Sequence, residues 1–240
     1  MRISCIVPCY NAERFRAEAI DSILAQTLSP AEIVVVDDGS TDGSAAVAAR
    51  FAGRVNYLRQ DNAGPAAARN AGLAATRGDF VAFLDADDLW HPEKLQRQAG
   101  RFAARPETEA CVTHLTGFWE AEVRHEQDAL QGHARTRSSV PGYVMQTLLA
   151  RRSAFDKAGN LDAALRFGED TEWFSRARDR GVVLDLIPDT LVYRRFHGSN
   201  LTRTRGNATL KSGLLDIVQG SLERRRPAAA GAHAGNGGEK

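Results

Sequence analysis

The sequence predicts an α/β fold: a Rossmann-like, mixed but mainly parallel sheet flanked by helices in a single domain. Three observations point there. Short apolar runs alternate with segments of helical spacing through the first half of the chain, the pattern of successive βα units. Each run ends in polar residues: Pro8-Cys9-Tyr10-Asn11, Asp37-Asp38-Gly39-Ser40, Asp61-Asn62 and Asp85 to Asp88. At 240 residues with 43% hydrophobic content, the chain is long enough for one sizeable core.

The expected strands are Ile3 to Val7, Glu32 to Val36, Val55 to Arg59 and Phe80 to Leu84. Between the first two, Phe15, Ala19, Ile23 and then Ile20, Leu24, Leu28 recur at helical spacing, which predicts an amphipathic helix over 13–28. Ser40-Thr41-Asp42 offers N-cap chemistry to a second helix. The third, "GPAAARNAGLAATRG", starts near Pro65 and stops at Gly78, and its small residues suit close packing on a sheet.

Beyond about residue 105 the pattern changes. A strand is expected over 109–119, followed by a polar, weakly patterned mobile loop over 120–142. A short helix over 170–180 carries Trp173, Phe174 and Ala177 on one side and ends at Gly181, and "VVLDLI" is a strand. Leu210, Leu214, Leu215, Ile217, Val218 and Leu222 predict a helix within 201–222, followed by Arg224 to Arg226. That helix is expected to dock on the body; homodimer formation and salt-sensitive peripheral contact with an anionic membrane are its other uses. Residues 223–240 read as a disordered tail.

Charge is nearly balanced, with 31 Lys+Arg against 30 Asp+Glu, so nothing favours nucleic acid as a partner. Cys5, Cys9 and Cys111 lack metal-type spacing and read as buried thiols of a reducing compartment. A strand pattern begins at once, without a signal-peptide run, and no apolar stretch is long enough to span a bilayer. The expected location is cytoplasmic. After the first strand stands "PCYNAE" and not GxGxxG, which excludes the usual dinucleotide site.

Polar ends on successive parallel strands point to one ligand crevice. On an extended segment Asp85 and Asp87 face the same way, and two such carboxylates suit Mg²⁺ or Mn²⁺ bridged to a diphosphate. Asp88 alternatively caps the helix begun by His91-Pro92-Glu93. The acids of "VVVDDGSTDGS" either accept hydrogen bonds from a ligand or form a turn that caps the next helix. Tyr10 stacks on a flat base or packs internally; Asn62 is a candidate to bond a nucleotide, and Arg69 either neutralises it or is a solvated or structural arginine. Glu169 and Asp170 begin a helix whose dipole favours ionised acids. Phe118, Trp119, His133 and Arg135 fall within 112–168, where contact with a sugar, lipid or peptide and a solvated loop are the alternatives.

Seven segments in order, "IVPCYNAE", "SILAQTL", "EIVVVDDGSTDGS", "NAGPAAARNAGL", "GDFVAFLDADDLWHPEKL", "GED" and "YRRFHGSN", resemble family 2 of the nucleotide-sugar glycosyltransferases, which have the GT-A fold. The resemblance covers about residues 3–200. It implies a nucleotide-sugar-binding part over 1–105 and an acceptor and catalytic part over 106–200. It places Pro8, Tyr10 and Asp38 around the donor base with Asn11 nearby, Arg69 in the donor pocket, and Asp85 at the ribose or metal. Asp87 matches the metal ligand of the DxD motif, and His197 a late histidine that completes the metal or diphosphate site. Asp170 matches the general base, supported by Glu169.

The implied activity is metal-dependent, inverting transfer from a UDP, GDP or dTDP sugar to a saccharide, lipid-linked or peptide acceptor, in cell-surface polysaccharide or other glycoconjugate synthesis. The QxxRW motif of processive synthases is not seen, which favours a single transfer. A catalytically degenerate nucleotide-sugar-binding module is the alternative. A haloacid-dehalogenase phosphohydrolase is disfavoured, because its DxD lies on the first strand and here Leu89-Trp90 follow the acids.

Overall fold

In the computed structural model, residues 1–126, 139–165, 167–200, 220, 221 and 224 are described. Strands β1 (Ile3–Cys9), β2 (Glu32–Asp37), β3 (Asn56–Arg59) and β4 (Phe80–Phe83) are parallel and lie in the order β3-β2-β1-β4. Helices α1 (Arg16–Leu24), α2 (Ser44–Ala49) and α3 (Pro65–Ala75) form the crossovers. Every residue of β1 is buried, and its alternating side chains feed two cores, as a strand covered on both faces requires. Ile3, Cys5 and Val7 join Ile20, Ile23 and Phe102; Ile6 joins Val34, Leu73 and Trp173 on the other face.

The helix predicted over 13–28 is shorter at both ends. Glu13 is drawn off to Asp42 and Gly43, and Gln26 turns its amide to the carbonyls of Ser22 and His91 ahead of Ser29-Pro30. The second helix follows Ser40-Thr41-Asp42 as expected, beginning at Ser44, whose N–H donates to Asp42 Oδ1 at 2.9 Å, while the Ser40 hydroxyl accepts the Asn11 N–H. In α3, Pro65 occupies the first turn after Gly64 at φ 95°. Gly72 faces Ile6 so closely that a Cβ would collide with that side chain, so the helix can seat directly on β1.

The second half extends the sheet. Strand β5 (Leu89–Trp90) leads to α4 (Lys94–Ala104), and β6 (Ala110–Trp119) pairs with β7 (Val140–Pro141). Strand β8 (Leu149–Arg151) is antiparallel to β4 and to β6, and precedes α5 (Arg152–Ala158) and α6 (Glu169–Asp179). Strand β9 (Leu184–Phe196) runs parallel to β6 and pairs β5 at the edge. It extends well beyond the predicted "VVLDLI". The register slips by a bulge opposite Thr113 and His114, which accommodates Pro188 without ending the strand. "YRRF" is therefore strand.

The three cysteines are buried and unbridged. Of the loop predicted over 120–142, Ala121–Val123 form a 3-10 turn, while 127–138, with His133 and Arg135, lie outside the described residues. The helix expected within 201–222 and the tail over 223–240 lie outside them too, apart from Gly220, Ser221 and Arg224. Ser221 Oγ and Arg224 Nε both donate to Asp179 at the end of α6, at 2.9 and 3.0 Å. Among the described residues no helix is long and apolar enough to cross a membrane.

Lys94 is an unusual core residue. It is fully buried, donates Nζ to Gln98 Oε1 at 2.9 Å and stands 4.1 Å from the Trp90 ring centre. Burial lowers its pKa to about 7. Between that value and the ordinary 10.5, the unfolded chain carries a proton on this amine that the folded chain lacks, so its contribution to stability rises with pH. Urea titrations of wild type and Lys94→Met across this range should therefore diverge in favour of wild type by up to about 1.4 kcal/mol per pH unit. A constant difference would show the amine to be charged in the fold.

Candidate active site

The carboxyl ends of β1 and β2 form one wall. Asn11, at φ 49°, donates its backbone N–H to Ser40 Oγ and accepts the Thr41 N–H at 2.8 Å. Ala12 N–H donates to Ser44 Oγ, and Glu13 N–H to Asp42. The two loops are thus tied together. Asp37 accepts Tyr57 OH at 2.6 Å and Ser40 N–H at 2.7 Å. Burial works to raise its pKa, but these donors outweigh it and hold the carboxyl below the usual range.

Asp38 is buried and accepts from Gln60 Nε2, Ala63 N and Gly64 N at 2.8–2.9 Å, while Asn62 Nδ2 donates to its carbonyl. Both side chains shape the turn into α3. Pro8 is buried within β1, whereas Tyr10, 46% exposed, stands at the rim.

The acidic stretch after β4 is a turn, closed by the Asp88 N–H on the Asp85 carbonyl at 3.1 Å. The extended geometry expected for Asp85 and Asp87 is therefore corrected, and each like charge has its own partner. Asp85 takes Arg69 Nη2 at 2.6 Å. Asp87 Oδ2 faces His197 Nε2 at 3.0 Å and accepts Asn200 Nδ2 at 3.1 Å, with its side chain 29% exposed. Nor does Asp88 cap α4, which has no side-chain cap. Buried, it accepts the Arg195 N–H at 2.9 Å and Gln146 Nε2 at 3.1 Å. Burial, followed by the charges of Asp87 and Asp85, pushes its carboxyl well above the usual range.

Arg69 joins this turn to the start of α6. Its Nη1 donates to Glu169 Oε1 at 2.8 Å and lies 3.7 Å from Asp170 Oδ1. Gly168, in the left-handed region at φ 80°, turns the chain so that both acids enter the first helical turn. Asp170 Oδ2 accepts the Met145 N–H at 3.1 Å. Its Oδ1 is buried with no hydrogen-bond partner among the described residues, although the side chain as a whole is 17% exposed. Burial raises the Asp170 pKa to about 6; the Arg69 cation opposes this, and Glu169 and Asp85 add to it.

Residues to which the sequence assigned no role frame the His197 side. Arg195 donates to the Asp87 carbonyl, pairs with Glu18 and Glu120, and lies between the Phe15 and Phe118 rings at 4.5 and 4.7 Å. Asn200 Oδ1 accepts the N–H of His197 three residues earlier, a local side-chain-to-backbone bond whose trace in the sequence is the "HGSN" spacing. Phe118 and Trp119 both make internal contacts: the Phe118 ring lies 4.7 Å from the Arg195 guanidinium, and Trp119 is stacked on Phe196 at 4.2 Å.

Among the described residues no group of three or more His, Cys, Asp or Glu is assembled around a common point for a metal. Asp87 and His197 nevertheless fit a shared divalent cation. Ser199 engages His197 Nδ1, leaving Nε2 directed at Asp87, whose Oδ1 accepts no hydrogen bond among the described residues. Carboxylate and imidazole suit Mn²⁺ or Mg²⁺ when phosphate oxygens and water complete the shell.

The fold is GT-A. The crystal structure of S. aureus TarS in complex with UDP-GlcNAc matches with a TM-score of 0.74 at 20% identity, over 93% of this chain and 66% of that one. The family model described as Glycosyl transferase family 2 matches residues 4–167, and the chain belongs to that family. An uncharacterized glycosyltransferase of Nostoc sp. is 34% identical over 225 residues, covering 87% of this chain and 69% of the relative. The uncharacterized glycosyltransferase EpsJ of Bacillus subtilis is 44% identical over 217 residues, covering 83% of this chain and 62% of the relative.

Asp88 provides a test of the site's framework. Asp88→Ala strands two buried donors and should lower unfolding free energy by about 2 kcal/mol or more in urea titration, whereas Asp88→Asn should recover much of that loss. Equal stability of Asp88→Ala and wild type would show that the Arg195 and Gln146 bonds do not hold the turn.

Proposed function

We propose that the chain is a metal-dependent, inverting glycosyltransferase that moves a sugar from a nucleoside-diphosphate donor to an acceptor hydroxyl. The observation that carries this reading is Arg69, whose guanidinium meets Asp85 and Glu169 and lies 3.7 Å from Asp170. Two acidic centres far apart in sequence thereby become one site. The donor base lies toward Tyr10 and Asn11, with Pro8, Asp38 and Asn62 shaping its wall. Asp85 faces the ribose, and Asp87 and His197 are the residues that would hold the divalent cation. When bound, that cation neutralises charge on the departing diphosphate.

Asp170 accepts the proton of the acceptor hydroxyl. Its Oδ1 is sealed against Arg69, so the oxygen available to that proton is Oδ2, oriented by the Met145 N–H. The acceptor oxygen forms a bond to the anomeric carbon as the bond to the diphosphate oxygen breaks on the opposite side. One displacement inverts the centre. Glu169 holds Arg69 in place, and the Arg69 cation favours the ionised base.

The match to TarS bound to UDP-GlcNAc supports testing uridine nucleotides first. Calorimetry with UDP, GDP and dTDP, each with Mn²⁺ and with chelator, should show strongest binding of UDP with Mn²⁺, and Asp87→Ala should lose the metal-dependent part. Absence of binding for all three would overturn the donor-pocket assignment, whereas binding without transfer would favour the catalytically degenerate module. For the base, Asp170→Asn should reduce kcat by roughly 10²–10⁴. Protonation removes the base, so the wild-type rate should fall as pH drops through about 6. Full transfer by Asp170→Asn, or a rate unchanged well below that pH, would refute the assignment.

A further inference from the structure

The turn after β7 carries two features on one short piece of chain. Met145 orients Asp170 through its N–H, and two residues earlier Tyr143 leaves 40% of its surface exposed. The ring is held in place, meeting Phe174 edge-on at 5.9 Å between centroids and 85° between planes. Phe174 lies four residues after Asp170 on α6, so the two share a helix face. The exposed ring and the carboxyl are therefore anchored to the same face and the same turn.

That turn is well fastened. Gly142 N–H donates to the Thr113 carbonyl at 3.1 Å, and Thr147 Oγ1 donates to the carbonyls of Val144 and Gly142. Any side chain at Gly142 would run into Thr147 and the Thr113 carbonyl, so the backbone has no slack there. Tyr143 is a fixed aromatic surface.

Among the described residues the other exposed large hydrophobics are Met1, Tyr10, Leu58 and Val183, none on this turn or on α6. A single ring beside a carboxylate lacks the contiguous apolar surface that an acyl chain needs. It does match a pyranose, which has a face of C–H groups and a rim of hydroxyls: the ring takes the face and a carboxylate accepts from the rim. We propose that Tyr143 is the stacking platform of the acceptor subsite and that the acceptor is a saccharide, placed on this ring with one hydroxyl at Asp170. This rests on the reading of Asp170 as the base.

Saturation-transfer NMR with the methyl glycosides of glucose, galactose, mannose and N-acetylglucosamine, without nucleotide, reads this contact independently of turnover. Wild type should transfer saturation to the ring protons of at least one glycoside, and Tyr143→Phe should retain the signal. Tyr143→Leu keeps apolar bulk against Phe174 but removes the flat face, and should weaken affinity about tenfold. No signal from any of these glycosides with wild type would overturn the proposal, as would equal affinity of wild type and Tyr143→Leu. Octyl glucoside distinguishes a lipid subsite: saturation confined to its alkyl protons would also overturn it. Failure of the nucleotide titration or full transfer by Asp170→Asn would strike the donor or base assignment, and both are measured separately from this contact.

Discussion

A single buried cation organises the centre of the molecule. Arg69 is nearly sealed from solvent, yet three carboxylates from two distant segments converge on it. Its reach depends on α3 lying close to β1, and Gly72, three residues further along the same helix face, permits that approach. A larger side chain at 72 would lift the helix and the guanidinium with it. Removing the cation itself would leave like charges facing one another in a confined space, a loss of about 3–5 kcal/mol for a buried pair deprived of one partner.

The other half of the acidic turn depends on a second arginine. Arg195 gives its N–H to Asp88 and its Nε–H to the Asp87 carbonyl, while its planar head is satisfied by Glu18 and Glu120 between two aromatic rings. Each arginine therefore fixes a different part of the turn. Arg69 restrains the Asp85 side chain, and Arg195 restrains the backbone from which Asp87 projects. The neighbouring acids remain distinct because their surroundings differ: Asp88 is buried and pushed toward neutrality, whereas Asp87 keeps partial access to solvent.

Much of this architecture is legible in the sequence because local rules govern it. The βα alternation, Pro65 at a helix start and the apolar side of α6 follow from periodicity and backbone chemistry. The strand through Pro188 is not legible, since a proline ordinarily argues against an interior strand and only the bulge against β6 accommodates it. The separate partners of Asp85 and Asp87 are hidden for another reason. Each depends on a residue brought from another element, and no spacing within "DADD" records the turn. The acids themselves stand out by charge, but Asn200, Gln146 and Arg195 acquire their roles only when β9 and the Met145–Thr147 turn reach the same place.

The hydrogen bonds between the loops after β1 and β2 have a mechanical consequence. Asn11 to Ser40 and Thr41, Ala12 to Ser44, and Glu13 to Asp42 and Gly43 leave little freedom for one loop to move without the other. The wall that carries Tyr10 behaves as a single stiff jaw. Any widening needed to admit a bulky molecule must then come from the opposite side of the cleft, and strain introduced on either loop is shared by both.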